Sequence, residues 1–585
     1  MDSKEAERVL LDLDLEQRKA ARILDGPLYI LAGAGAGKTR TITHRIAYAV
    51  KSKYWSPTAI IATTFTTKAA REMKDRLERL GIVGVTVNTF HGTSLGLLKK
   101  YWHYITTYPF PEILNNKFSL LENICKQVGF SFSSYQVSSI AEEISWVKTS
   151  LLPIENYKDN INWKNRDALE FMTSEQFGQI YKIYEECKAK INQIDFEDIL
   201  LIMVHIIDQY PQIAAKIRQN YRYFIVDEFQ DISPLQYYVL RMWMGQNLDI
   251  CVVGDPSQTI YSFAGASCYY LNNFDKLFPG AKHIKIVKNY RSSEQIVQLA
   301  NKILLHKRNK NYEQLKLKSN KSVRDDKNIN SLNFDIYKNE KQEAEKVVVK
   351  IEELLNKGYK LSDIAILYRA KFQARNILQF VEKKNLPFIE KGSEKFFENP
   401  VINLILEDIK KNKVFYTQEY SSFEECISNF RKRINKTVDR AIQLRGKKEF
   451  SKNAILGKAF NHLVDNFFQI VQTTKQNYSI DDFLQYIYEL IEQEFEPELN
   501  CITLASIHSS KGLEFTCVFL IGVSDGNIPI SLANSKEEIE EERRLLYVAI
   551  TRAKQILFIS FSAFSNSRKT SLSRFLERIW PVKKI

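Results

Sequence analysis

Ala32-Gly33-Ala34-Gly35-Ala36-Gly37-Lys38-Thr39 is the stretch that fixes how this chain of 585 residues is read. It follows an apolar run, Leu28 to Leu31, that reads as a buried strand, and it precedes Thr41 to Val50, which reads as an amphipathic helix. A glycine-rich turn in that setting brings several backbone N–H groups and a helix N-terminus to one point, where anions bind. The pattern is A/G-x-x-x-x-G-K-S/T, with Ala32 where many such loops have Gly. A flexible Gly/Ala turn is the bland alternative, and the flanking strand and helix argue against it.

A phosphate cradle needs a metal partner. Ile225-Val226-Asp227-Glu228-Phe229-Gln230-Asp231 places two adjacent carboxylates at the end of a second strand. Asp227 can share a Mg²⁺ shell with the Thr39 hydroxyl, and Glu228 can polarise the water that attacks a γ-phosphate. A third strand ends in Gly254-Asp255-Pro256-Ser257-Gln258. Gln258 there can hydrogen-bond either the γ-phosphate or the attacking water, and Tyr261 and Phe263 just beyond can stack on bases.

Short apolar strands alternate with helical segments in two separated stretches, the rhythm of two parallel-sheet α/β domains. The first holds Leu28 to Leu31, Ala59 to Thr64, Tyr223 to Val226 and Ile250 to Val253. The second holds Ile284 to Val287, Ile364 to Tyr368, Ile502 to Ile507, Cys517 to Val523 and Ile556 to Ser560. Residues 105–194 and 400–499 lack that rhythm and read as helical insertions, so the expected cores are 1–104 with 195–282, and 283–399 with 500–585. Lys302 to Lys327 is basic and Asn-rich, a solvated loop or a phosphate-tracking surface.

Composition sets the class. With 44% hydrophobic and 26% charged residues the chain is a globular one, and 35 Phe with 29 Tyr supply rings for cores or for bases. A formal charge of +14 favours a polyanionic partner, nucleic acid before membrane. The seven cysteines form no CxxC pair, which predicts a reducing compartment and no zinc site. Met1 to Gln17 has no apolar signal core, and the apolar run Leu200 to Ile207 is too short to span a bilayer, so a cytoplasmic protein with no membrane partner is expected.

Taken in order, the motifs resemble the superfamily 1A DNA helicases of the UvrD, Rep and PcrA type over nearly the whole chain. Leu13 to Arg18 is similar to the Q-motif, whose glutamine, here Gln17, reads adenine; the P-loop, Thr64 to Ala70, and Thr89-Phe90-His91-Gly92 follow. Asp195-Phe196-Glu197-Asp198 resembles the return into the first core. Asn289-Tyr290-Arg291-Ser292, Tyr368-Arg369, Ile507 to Phe515 and Glu541 to Ala553 resemble the motifs of the second core. The resemblance implies two RecA-like P-loop domains, each with a mainly helical insertion. It implies ATP bound by Gln17, Ala32 to Thr39, Arg40, Tyr290, Arg291, Glu514 and Arg552, with Mg²⁺ on Thr39 and Asp227. Lys38, Glu228, Gln258, Arg291 and Arg552 would be catalytic, the two arginines reaching the γ-phosphate as fingers when the cleft closes. Phe65, His91, Tyr261, Phe263, Arg369 and His508 would touch DNA.

The implied activity is ATP-driven 3′ to 5′ translocation on single-stranded DNA and opening of 3′-tailed duplexes, in repair, recombination or replication restart at the nucleoid. A translocase that only clears proteins from single strands, or a nucleotide-gated subunit of a nuclease or defence complex, are the alternatives. Phe263-Ala264 stands where the family usually has Trp-Arg, and Thr67 replaces an asparagine, so one stacking ring is kept and one cation is missing. The segment 400–499 looks short for the second insertion, with only Gly446 and Gly457 in it, and little chain follows Ser573-Arg574-Phe575-Leu576 to hold a tail module.

Overall fold

The computed structural model describes residues 2–114, 116–157, 170–305, 314–320, 330–392, 396–411, 428–429, 431–437, 439–440, 450–474, 480–492, 495–565 and 568–580. Most of the basic stretch Lys302 to Lys327, together with Cys426 and Gly446, lies outside the described residues. The chain divides into two compact units: Met1–Val287 with Asn309–Leu315, and Lys288–Arg308 with Lys316–Ile585.

The first unit is built on six parallel strands, β1 (Leu28–Ala32), β2 (Ile60–Thr64), β3 (Thr86–Thr89), β4 (Tyr223–Val226), β5 (Ile250–Gly254) and β6 (Lys282–Ile286). Their spatial order is β3-β2-β4-β5-β1-β6. The inner strands β1, β2 and β5 are buried at every position, as continuous apolar runs covered on both faces must be. The edges are wetter: β3 is half-buried throughout, and β6, Lys-His-Ile-Lys-Ile, exposes both of its lysines. Ile30, Ile42, Ile46, Ile60 and Val253 belong to the core around this sheet, each fully buried and each contributing roughly 1.5–3 kcal/mol.

One strand falls in a different sheet from the one expected. The strand rhythm put Ile284 to Val287 in the second domain; the structure pairs β6 in parallel with β1, Leu28 opposite Lys282 and Ala32 opposite Ile286. Such rhythm reports that a segment is a strand and not which sheet it joins. The pairing matters, because the Gly33 N–H donates to the Ile286 carbonyl at 3.4 Å and the start of the P-loop is thereby tied to the end of β6.

The insertion of this unit packs the helices Lys117–Gln127, Ser134–Thr149 and Ser174–Lys190 around Leu121, Ile140, Ile144, Phe177 and Ile180. The last two helices start with complete capping boxes, Ser133 with Gln136 and Thr173 with Gln176, each satisfying orphan N–H groups. A parallel pairing of Glu112–Ile113 with Gln193–Ile194 closes the insertion where it leaves and rejoins the sheet domain.

The second unit has β7 (Leu332–Asn339), β8 (Ile364–Tyr368), β9 (Phe388–Lys391), β10 (Ile502–Ser506), β11 (Phe515–Leu520), β12 (Ala553–Ser565) and β13 (Arg568–Lys569). The order is β7-β12-β11-β8-β10-β9, all parallel, with β13 antiparallel to β12. Strands β3, β7 and β9 were not expected; all three lie at sheet edges, where polar residues blur the apolar pattern. A separate helical core in this unit joins Pro400–Lys411, Phe450–Thr474 and Ile480–Glu492 through Ile402, Ile405, Phe460, Leu463, Val464 and Phe483.

Candidate functional site

In the first unit the motifs collect at the C-terminal ends of adjacent strands, the crevice where open parallel sheets bind ligands. Gly37 ends the loop in the left-handed region, φ +79°, and starts the helix Lys38–Lys51 without a side-chain cap. The first-turn N–H groups of that helix therefore face outward for an anion. A Cβ at position 37 would also come within 2.8 Å of the Gln17 amide nitrogen. Gln17 itself is engaged on both sides: its Oε1 accepts the Asp14 N–H at 3.2 Å and its Nε2 donates to the Ala36 carbonyl at 3.0 Å. Arg40 donates to the Asp12 carbonyl at 2.7 Å.

Lys38 Nζ lies 2.9 Å from the Glu228 carboxylate, and Thr39 Oγ1 donates to Asp227 Oδ2 at 3.1 Å. Burial and then the neighbouring Glu228 push Asp227 up to about 6. Burial alone would depress Lys38, but Glu228, Asp255 and Asp227 together outweigh it and hold the ammonium charged. Gln258 donates to Asp255 Oδ2 at 2.8 Å. The fit to a magnesium nucleotide is good: an uncapped helix N-terminus, one buried ammonium, a paired hydroxyl and carboxylate, and a crowded carboxylate cluster short of positive charge.

Gln230 entered the sequence reading only as part of its motif, and the structure makes it the bridge of the site. Fully buried, it donates from Nε2 to Glu228 at 2.5 Å and to Asp231 at 3.1 Å, while its Oε1 accepts the Asp255 N–H at 3.0 Å. It thus links the ends of β4 and β5. Gly254 leaves room for it, since a Cβ there would meet Gln230 Oε1 at 2.6 Å. Glu228 sits at φ +51°, a left-handed position that a non-glycine residue adopts only when its surroundings enforce it.

In the second unit the structure brings Arg291, Glu514, Arg552 and Lys554 together. Arg291 Nε pairs with Glu514 at 2.6 Å, Lys554 Nζ with the other oxygen of Glu514 at 2.8 Å, and Arg291 Nη1 donates to the Thr551 carbonyl at 3.4 Å. Burial opposes ionisation of Glu514, but Arg291 and Lys554 outweigh it and hold its carboxyl below the usual range. Arg552 is buried and donates to the carbonyls of Val548 at 2.9 Å and Leu513 at 3.0 Å. The Tyr290 ring carries Lys288 at 5.2 Å.

Residues 13–279 match the UvrD/REP helicase N-terminal domain, and residues 284–411 and 402–563 match the UvrD-like helicase C-terminal domain. The protein named ATP-dependent DNA helicase UvrD2 of Mycobacterium tuberculosis is 33% identical over 594 residues, which span 98% of this chain and 82% of that protein. The chain belongs to the UvrD/REP helicase family. The protein named ATP-dependent DNA helicase PcrA of Staphylococcus aureus is 28% identical over 651 residues, 98% of this chain and 86% of its own length. Among the described residues no helix is long and apolar enough to cross a membrane.

Partly exposed rings cluster beside the nucleotide end of this UvrD/REP helicase. Phe65, 43% exposed, stacks on Tyr261 at 5.4 Å and 14°, and Phe263, 57% exposed, meets Tyr261 edge-on at 6.1 Å. His91 lies face to face with Phe196 at 3.9 Å. Phe196 is 54% exposed, and its motif reads in the sequence only as a return into the core; an apolar ring at the first position of a helix was the available signal. Phe65 and His91 line one cleft with Thr64, Asp227, Glu228 and Gln236, so the rings and the two carboxylates share a wall. Burial drops His91 to about 4, so the imidazole is neutral at pH 7 and its buried Nε2 has no hydrogen-bond partner.

Of the second-unit residues expected at DNA, Arg369 is ion-paired and His508 is half-buried. Arg369 is held by Glu542 through Nε at 3.0 Å and Nη2 at 2.7 Å, and Glu542 also accepts the Ile530 N–H at 3.1 Å. His508 is lowered to about 4 by burial, then by Arg369 and Lys511.

Behind Phe196 lies a buried ionic cluster. Lys148 Nζ is 2.7 Å from Asp195, from Asp198 and from Glu185, while Lys188 is 3.0 Å from Asp195, with Asp198 also in contact. Tyr184 donates to Asp195 at 3.0 Å. Burial would raise Asp195, yet Lys148, Lys188 and Lys117 hold it far below the carboxylate range. The oxygens of Glu185, Asp195 and Asp198 are close enough together for a cation, and the two ammonium groups already supply the charge.

Proposed function

We propose that this chain is an ATP-dependent DNA translocase and helicase that moves 3′ to 5′ along single-stranded DNA and opens 3′-tailed duplexes, acting in the cytoplasm at the nucleoid in repair, recombination or replication restart. The observation that carries the reading is the row of strand ends in the first unit. The P-loop after β1, Asp255 and Gln258 after β5, Asp227 and Glu228 after β4, Phe65 after β2 and His91 after β3 follow one another along a single edge. Nucleotide chemistry at one end of the row and stacking rings at the other share one rigid sheet.

Lys38 and the first-turn N–H groups would hold the phosphates, and Thr39 with Asp227 would hold Mg²⁺. Bound Mg²⁺-ATP supplies the γ-phosphoryl electrophile and a Lewis acid. A phosphate that draws Lys38 away from Glu228 leaves that carboxylate free to accept a proton from water, with Gln230 fixing its position. Gln258 orients water or phosphate, and Arg291 and Arg552 are the guanidiniums assigned to transition-state charge. Phe65, Tyr261, Phe263 and Phe196 give a sequence-tolerant grip, about 1–3 kcal/mol per stacked base.

The test is ATP hydrolysis with and without single-stranded DNA for the wild type, Lys38→Ala, Glu228→Gln and Arg552→Ala, beside strand separation on 3′- and 5′-tailed duplexes. Strong stimulation in the wild type, near-abolition in the three variants and a preference for the 3′ tail are expected. Normal turnover in Arg552→Ala removes its finger role, and opening from the 5′ tail reverses the polarity.

A further inference from the structure

The helix Phe90–Tyr101 carries His91 in its first turn, on the edge just described, and ends about 15 Å beyond it at the 1.5 Å rise of an α-helix. At that far end Tyr101, Trp102, Tyr104, Tyr108 and Phe110 supply five aromatic rings within ten residues, directly after Lys99 and Lys100. The rings are mounted, not loose. The Trp102 indole N–H donates to the Tyr108 carbonyl at 2.9 Å, the Trp102 ring meets Phe110 edge-on at 5.0 Å, and the Tyr108 N–H donates to Thr106 Oγ1 at 3.2 Å. Tyr104 packs against His103 at 4.0 Å and leans on Tyr101 at 6.2 Å. The result is two rings held toward solvent, Tyr104 at 58% and Tyr108 at 77% exposure.

The segments that carry and flank them are rich in cations. Lys216, from the helix Pro211–Asn220, lies over the Tyr104 ring at 4.2 Å, and Lys100 lies over Tyr101 at 5.4 Å. Residues 90–110 and 210–223 contain no Asp or Glu, while they carry Lys99, Lys100, Lys216, Arg218 and Arg222. Of the two arginines, Arg222 pairs with Asp249 at 3.3 Å and Arg218 caps the Met242 carbonyl at 2.9 Å, which leaves the three lysines as the cations for a phosphate backbone. Exposed ring faces interleaved with lysines are the chemistry of a single-stranded polynucleotide: rings for the bases, ammonium groups for the phosphates.

We infer that Tyr104, Tyr108, Lys100 and Lys216 form a second site for single-stranded nucleic acid, separate from the ring track of Phe65 and Tyr261. A motor that holds one strand in its track then has a place on the same unit for another segment, such as the strand released from a duplex. The surface carries a two-ring, two-lysine footprint, short enough for weak, salt-sensitive binding.

The experiment uses the full chain and fluorescently labelled oligothymidylate long enough for one track, titrated to saturation at low salt. Two oligonucleotides per wild-type molecule are expected. One is expected for Tyr104→Ala/Tyr108→Ala, with the weaker Kd raised at least tenfold. Lys100→Ala/Lys216→Ala is expected to lower the salt slope of the weaker site by about 1.4, at about 0.7 for each phosphate of a single strand that a lysine no longer neutralises. ATP hydrolysis stimulated by the same oligonucleotide, read in parallel, should stay at the wild-type level in both variants. A single oligonucleotide per wild-type molecule, or two retained by both variants, overturns the site. Displacement of the weaker oligonucleotide by polyglutamate at matched charge and ionic strength assigns the patch to an acidic protein segment and overturns it equally. Loss of stimulation in the wild type itself would refute the translocase reading and leave the count of bound strands to be judged alone.

Discussion

Asp195→Asn is the most informative single change in the first unit, because Asp195 is the most buried carboxylate of the cluster joining the helical insertion to the sheet domain. Its side chain is 3% exposed and faces Lys148 and Lys188, each 2% exposed. Removing the charge leaves both ammonium groups with Asp198 and the outer Glu185, and breaking one side of a buried pair costs about 3–5 kcal/mol. Asp195 also caps the helix Phe196–Gln209 by accepting the Asp198 N–H at 3.0 Å. Asn preserves such a cap and Ala does not, so Asp195→Ala should cost about 1 kcal/mol more. Hydrogen exchange reads this locally: 3–5 kcal/mol is about 10²- to 10⁴-fold faster exchange in Ser134–Thr149 and Ser174–Lys190. Lys148→Met added to Asp195→Asn should recover part of the loss, since it withdraws an uncompensated charge. Because Phe196 follows Asp195 and stacks on His91, DNA-stimulated hydrolysis should fall while basal hydrolysis persists. Exchange raised less than tenfold, or no coupling between the two substitutions, would refute the cluster as an anchor.

Phe65→Ala, Tyr261→Ala and Phe196→Ala should each weaken single-stranded DNA binding by about 1–3 kcal/mol in fluorescence anisotropy, and Phe65→Ala/Tyr261→Ala should fall short of the sum because the two rings stack on each other. His91 is held near 4 against an ordinary value of about 6.5, so the unfolded chain takes up a proton that the folded one refuses; stability present above pH 6.5 should decline toward pH 4, by up to about 3 kcal/mol, and His91→Gln should flatten that decline in denaturation curves. The same shift keeps His91 neutral, so DNA affinity between pH 6 and 8 should show no titration removed by His91→Gln. Arg369→Ala should cost stability by leaving Glu542 buried and unpaired, and adding Glu542→Gln should restore much of it in thermal melts, whereas a pure DNA-binding role predicts normal stability for the single variant.

The placement of the P-loop and of the paired carboxylates was legible because their signals are local: Gly37 needs a left-handed backbone, Lys38 and Thr39 follow it, and Asp227 and Glu228 follow an apolar strand. What stayed hidden depends on three-dimensional neighbours. Gln230 looks like any residue of a turn until the end of β5 arrives beside it, and Phe196 looks like a helix start until His91 lies against its face. The same holds for β6, whose lysines mark it as an edge strand without saying which edge. The buried Lys148 and Lys188 were the least legible of all, since each sits on an amphipathic helix where a solvated lysine is the ordinary expectation.

Those hidden contacts form one physical chain within the first unit. Lys148 and Lys188, from the insertion, fix Asp195; Asp195 starts the helix that presents Phe196; Phe196 covers His91; and His91 lines the cleft that Asp227 and Glu228 also line. Every link is buried, stacked or doubly hydrogen-bonded, so displacement of one end has little room to dissipate. On the proposed reading a base that enters against Phe65 presses on the same cleft wall, and Glu228, the proposed general base, is already in a backbone conformation its surroundings must enforce. The proposed stimulation of hydrolysis by DNA would then need no long-range device. It requires only that occupancy of the rings favour one placement of Glu228 relative to Lys38, and a preference of about 1.4 kcal/mol suffices for a tenfold change in the population of that placement. Glu228→Asp, which shortens the carboxylate without removing it, should therefore lower DNA-stimulated turnover more than basal turnover; an equal loss in both would mean that the rings act on some other step.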